Sequence, residues 1–179
     1  MSTLTIYPQD DPAAGRRIDE VGEIRRELAA IGVTFERWQA QAPLTPGAPQ
    51  AEVLAAYRPE IERLVAERGY RSVDVVSLDP AHPEREALRR KFLAEHTHAD
   101  DEVRFFVAGS GLFTLHAAGR VYAVLCEQDD LISVPAGLPH WFDMGSAPPF
   151  TCIRLFNDPA GWVARFTGDE IAARFPVLP

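Results

Sequence analysis

Two histidines stand one residue apart in the stretch AEHTHADDE, Ala94 to Glu102, and a glutamate follows four residues after the second. The chain has only five histidines, so a pair beside three acids points to metal chemistry. In an extended segment His96 and His98 point to the same side, and both imidazoles can reach one ion. Glu102 needs a local bend to join them. A fully extended path from His98 would carry it roughly 13 Å away at ~3.3 Å per residue. Side chains holding one ion at ~2.0–2.2 Å would struggle to cover that separation. The intervening Ala99-Asp100-Asp101 is therefore expected to turn or bulge, which suits two aspartates. From Glu102 the alternation resumes: Glu102, Arg104 and Phe106 share one face, and Val103, Phe105 and Val107 share the other. A third histidine, His140, is delivered by a stiff loop containing Pro135, Gly137 and Pro139. His82 reads as a turn residue and His116 as a hairpin-end residue.

The elements that must position these groups have two textures. The first half reads as helical. Ile18, Val21, Ile24, Leu28 and Ile31 recur at helical spacing from Arg16 or Arg17 to the stop at Gly32. Val53, Leu54, Tyr57, Ile61, Leu64 and Val65 repeat the pattern, with Pro59 expected to kink or split the helix and Gly69 to end it. A third helix is expected from near Pro83, and VTFERW and VDVVSL read as strands. From Val103 onward short apolar runs alternate with turns at Gly109-Ser110-Gly111, Ala118-Gly119 and Asp129-Asp130, and FTCIRLFN adds a further strand. Such spacing indicates an antiparallel sandwich or barrel. The whole reads as a single domain over 1–179, mainly β, with helices packed around a barrel.

Composition narrows the partners. A formal charge of −8 argues against nucleic acid or an anionic membrane surface, because no basic patch is available. No apolar run reaches the ~18–20 residues needed to span a bilayer, and the first residues lack the pattern of a secretory leader. Cys126 and Cys152 lie in apolar strand-like segments and read as buried, inert thiols, so a reducing cytoplasm is expected.

The combination His96-x-His98-x3-Glu102-x6-Gly109, with Pro135-x-Gly137-x2-His140 downstream, resembles the two metal motifs of the cupin superfamily, here at 96–109 and 135–140. The resemblance implies that His96, His98, Glu102 and His140 hold one divalent metal inside a small jelly-roll-like antiparallel barrel. Over nearly the whole chain, GVTFERWQA, RSVDVVSL, REALRRKFLAEHTHADDEVRFFVAGSGLFTLH, DLISVPAGLPHWFDMG and GWVARFTGDEIAARFP are similar to the acireductone dioxygenase family. Two positions depart from that family's usual pattern. Asp129 stands where glycine is usual, and Leu138 where threonine is usual.

The family resemblance implies an enzyme of methionine salvage, cytoplasmic and monomeric, that cleaves an acireductone with O2. Iron is expected to give formate and 4-methylthio-2-oxobutanoate. Nickel is expected to give formate, carbon monoxide and 3-methylthiopropanoate. Three imidazoles and one carboxylate leave two open positions on an octahedral ion, which suits one Fe(II) or Ni(II) per chain better than a closed zinc site. Arg104, two residues beyond Glu102, is expected to face the interior and stabilise the substrate's negative charge. Arg154, among apolar neighbours, needs a partner, either the substrate or a structural carboxylate. Asp101 is either a proton acceptor beside the metal or a turn acid. Phe92, Phe142 and Trp162 are candidates for the apolar wall around the thioether tail. Two alternatives stay open: another metal-dependent cupin enzyme, such as a different dioxygenase or an isomerase, and a non-enzymatic cupin that binds a small ligand.

Overall fold

Twelve strands and four helices follow one another in a computed structural model that describes residues 1–45, 47–158 and 163–179. The chain starts with a strand that the sequence reading did not anticipate, β1 (Thr3–Pro8). It pairs antiparallel with β2 (Arg16–Ile18), placing Leu4 opposite Ile18. The helix expected from Arg16 or Arg17 therefore begins later, as α1 (Val21–Ala29). Ile18 is buried from a strand instead. Glu20 sets the boundary: its carboxylate accepts from the Gly22 and Glu23 N–H groups at 2.7 and 2.6 Å, capping orphan donors of the first turn. Ile24 and Leu28, one turn apart, face the core.

The next helical stretch splits as its proline required. α2 (Gln50–Ala56) ends at Tyr57, and α3 (Arg58–Arg68) carries Pro59 in its first turn, where no N–H is needed. Gly69 ends α3 in the left-handed conformation, at φ 77°. β3 (Thr34–Arg37) precedes α2, while β4 (Ser72–Leu78) and α4 (Arg85–Leu93) lie between α3 and the metal motif, α4 starting two residues beyond Pro83.

The remaining strands are β5 (His96–Thr97), β6 (Glu102–Ala108), β7 (Gly111–Ala117), β8 (Arg120–Cys126), β9 (Asp130–Val134), β10 (His140–Asp143), β11 (Phe150–Phe156) and β12 (Arg165–Phe166). They form two antiparallel sheets. One runs β12-β5-β10-β7-β8-β1-β2 and the other β3-β9-β6-β11-β4. The barrel is thus built as two sheets packed on each other. Residues of both meet in one apolar layer, including Leu4, Val124 and Phe142 from the first and Phe106, Ile132 and Cys152 from the second. The outer face of the second sheet carries Val103, Phe105 and Val107, covered by Val53 of α2, Ile61 and Leu64 of α3, and Tyr57 at the junction between them. The parity read for β6 holds, with Glu102, Arg104 and Phe106 turned to the opposite, inner side. Cys126 and Cys152 are both fully buried, and burial pushes both thiols up, Cys152 to about 12.

Candidate metal centre

The two sheets share the donor set. His96 opens β5 and His140 opens β10, directly opposite each other in register. Glu102 opens β6 on the facing sheet. His98 follows β5, just before the bend at Ala99 and Asp100 that brings Glu102 back into reach. The ligating atoms of these four residues all lie within 4.8 Å of one another, and none of the residues is more than 8% exposed.

Backbone contacts fix the histidine tautomers. The Nδ1 atoms of His96 and His140 each lie 2.7 Å from a carbonyl oxygen, of Ala94 and Leu138 respectively. A carbonyl only accepts, so both Nδ1 atoms donate, and in neutral rings Nε2 presents a lone pair. His140 Nε2 nevertheless sits 2.8 Å from Glu102 Oε2, and His98 Nε2 lies 3.2 Å from the same oxygen. Two acceptors at 2.8 Å require a second proton on the imidazole or a cation that both face. Burial lowers His96 to about 4, which keeps that ring neutral at ordinary pH. Burial alone would raise Glu102, but the Arg104 charge and the two imidazole contacts outweigh it and hold the carboxyl well below its usual range. Three imidazoles converging on an ionised carboxylate fit a divalent ion.

The loop carrying His140 is tied to the bend after His98. Gly137 N–H donates to the His98 carbonyl at 2.9 Å, and Ala136 N–H donates to Asp101 Oδ1 at 3.0 Å. Tyr70 donates its hydroxyl to the other Asp101 oxygen at 3.2 Å. Asp101 therefore has the contacts of a turn acid that locks the two metal motifs together. Asp100, one residue earlier, instead ties the bend to the end of β11, accepting from the Asn157 and Asp158 N–H groups at 2.8 and 3.2 Å.

A cavity of 390 Å³ opens over the donor set. It is lined by Phe92, Phe142, Arg104 and Arg154, all read from the sequence, together with Lys91, Val163, Ala164 and Phe166, which were not. Trp162 lies outside the described residues. Phe166 had a usable signal, since Trp162, Ala164 and Phe166 alternate as a strand does. It sits opposite His96 in β12, its ring 6.0 Å from the imidazole. Gly111 makes room for the wall: a Cβ there would lie 2.4 Å from the Phe142 ring.

Both arginines already have a carboxylate. Arg104 donates Nε–H to Glu102 Oε1 at 2.7 Å, in a pair that is almost wholly buried, with its guanidinium 5.1 Å from the Phe142 ring centre. Arg154 makes a two-pronged contact with Asp74 at 2.8 and 2.6 Å. Arg104, Arg154 and Asp74 stand side by side in register across β6, β11 and β4. Of the two partners considered for Arg154, the structural carboxylate is present. His116 and His82 take the bland roles expected of them. His116 bonds Glu95 and Gln9 at 2.9 Å each near the end of β7, and His82 Nδ1 accepts from Glu84 N–H in a turn.

The sequence matches the ARD/ARD′ family over residues 4–164. It is 60% identical over 179 residues to an acireductone dioxygenase of Pseudomonas paraeruginosa, with 99% of each chain covered. It is 58% identical to the acireductone dioxygenase of Yersinia pseudotuberculosis over the same length and coverage. Among solved structures it resembles an acireductone dioxygenase from Bacillus anthracis with a cadmium ion in its active centre. That match has a TM-score of 0.83 and 32% identity, and covers 93% of this chain and 98% of the other.

Proposed function

Because the chain belongs to the ARD/ARD′ family of acireductone dioxygenases, we propose that it cleaves a small acireductone with O2 at the centre formed by His96, His98, Glu102 and His140. It is a metal-dependent dioxygenase with a cupin fold. The observation that carries the site assignment is the convergence of four buried ligating atoms beneath a cavity with charged and apolar walls. Residues 1–179 act as one domain in this reading, since strands from both ends of the chain complete the same sheet.

One Fe(II) or Ni(II) ion would supply Lewis acidity toward an enediolate and redox access to O2. The protein's own residues do the rest. His96 and His140 are held by the Ala94 and Leu138 carbonyls with Nε2 directed inward. Glu102 is kept ionised by Arg104. Arg104 and Arg154 place positive charge where the anionic head of the substrate would lie, and Phe92 and Phe142 wall the side suited to a methylthioethyl tail. Asp101 acts by fixing the His140 loop. The iron form releases formate and 4-methylthio-2-oxobutanoate, and the nickel form releases formate, carbon monoxide and 3-methylthiopropanoate. Both sets account for every atom of the acireductone and O2. The physiological setting is cytoplasmic methionine salvage by a monomer. Among the described residues no helix is long and apolar enough to cross a membrane.

The test is to strip the protein of metal, reload it separately with Fe(II) and Ni(II), and follow O2 uptake and products with an acireductone. The metal should determine the products at fixed protein. Replacement of His98 by alanine should abolish tight metal binding and turnover. Failure of the loaded protein to consume O2 with this substrate would reject the reading, and identical products from both metals would reject its metal-dependent part.

A further inference from the structure

Among its 18 basic residues the chain has a single lysine, Lys91, and that residue lines the cavity over the donor set. Its position in the last turn of α4 puts it beside Phe92, with its side chain exposed. The other two cations of the cavity wall are already matched, Arg104 to Glu102 and Arg154 to Asp74. Lys91 makes no ion pair among the described residues. Among the described residues Glu102 is the sole acid lining the cavity, although the chain as a whole carries a charge of −8. An anion approaching this protein therefore meets net repulsion at a distance and unmatched positive charge at one place on the cavity wall. Of the other cations of α4, Arg85 lies 3.9 Å from Glu86 and Arg89 is paired with buried Asp143, so among the described residues Arg90 and Lys91 carry the positive charge left over at the end of the helix.

We propose that Lys91 is a capture residue that draws the anionic head of the substrate into the cavity. The ammonium suits this task better than a guanidinium fixed in a pair. It is a strongly hydrated point charge on a flexible stem, able to follow an incoming oxygen anion without demanding one geometry. Its contribution lies in encounter and ground-state binding, so it acts on kcat/KM and not on the chemical step. The inference rests on the function proposed above, in which the substrate is an enediolate.

The test compares metal-loaded wild type, Lys91→Gln and Lys91→Arg with an acireductone, at equal metal content and over a range of salt. Wild-type kcat/KM should fall as salt screens the attraction. Lys91→Gln should lower kcat/KM by roughly threefold to tenfold at low salt, flatten the salt dependence and leave kcat in place, as expected for one partly exposed charge. Lys91→Arg should stay close to wild type. A chemical version needs no variant to fold: acetylating the amines of folded wild type should reproduce the Lys91→Gln result. The same treatment of Lys91→Arg, which retains only the amino terminus as a target, should do nothing. The proposal is overturned if Lys91→Gln keeps the wild-type kcat/KM and salt slope, or if Lys91→Arg is as impaired as Lys91→Gln. If wild type itself shows no acireductone turnover, the function fails first, and that outcome is distinguishable from the others.

Discussion

Replacing Arg104 by alanine tests the buried pair at the heart of the site. The Nε–H group of Arg104 meets Glu102 Oε1 at 2.7 Å where neither side chain is more than 10% exposed. Removing one member of a buried pair leaves the other charge uncompensated, at a cost of about 3–5 kcal/mol. Glu102 retains its contacts with His98 and His140, so the lower end, about 3 kcal/mol, is expected. For a chain of this length that corresponds to a fall in Tm of roughly 6–12 °C in the metal-free protein. A bound divalent ion would compensate the carboxylate directly, so the loaded variant should lose less than half of that. Arg104 also lines the cavity, and loss of a charge-assisted bond to the substrate, worth roughly 1.5–3 kcal/mol, would lower kcat/KM by about tenfold to a hundredfold. Thermal melts with and without chelator, metal analysis and steady-state kinetics separate the two roles. If metal-free Arg104→Ala melts with wild type, the pair contributes nothing and the structural half of the argument is wrong. If the loaded variant keeps its metal and full kcat/KM, the substrate half is wrong.

Three further outcomes follow from contacts described above. Tyr70→Phe removes the hydroxyl that holds Asp101, so metal affinity should fall by about tenfold, as for other groups that orient a ligand, and a competition titration with a chelator would read it. Gly109→Ala should destabilise the fold by more than ~3 kcal/mol, because φ is +77° and a Cβ would lie 1.9 Å from the Pro149 carbonyl oxygen; urea unfolding at unchanged m-value would measure it. Asp129→Gly should stabilise by about 0.5–1 kcal/mol, raising Tm by roughly 1–4 °C, since it relieves a left-handed non-glycine residue at φ 75° beside Asp130; a lower Tm would mean that the aspartate stabilises its turn.

The donor set was legible because metal ligation needs particular residue types at tight spacing. The parity of β6 then placed Arg104 inside without further information. Asp129, a departure noticed against the family pattern, occupies a backbone conformation that favours glycine. The first turn of α1 was misplaced because Ile18 fits a helical apolar pattern and a short strand equally well, and only the long-range partner Leu4 decides between them. β1 was missed for the same reason: its partner β8 lies more than a hundred residues away. Arg104 and Arg154 were legible as inward cations, and Glu102 was already on the Arg104 face, but Asp74 was not legible, because it becomes a neighbour of Arg154 only through strand pairing. Lys91 reaches the cavity from a segment flanking the donor set with nothing in its local pattern to mark it, whereas Phe166 could be found from the alternation of Trp162, Ala164 and Phe166.

The distribution of ligands over two sheets has a mechanical consequence. His96 and His140 belong to one sheet and Glu102 to the other, so an ion held by all three acts as a rivet through the seam. Away from that rivet the sheets adhere through apolar packing, which tolerates small sliding motions better than a set of directional bonds does. Loading the ion should therefore slow amide hydrogen exchange on both sides of the seam, in β5, β10 and the start of β6 together, while the outer strands β2 and β4 exchange as before.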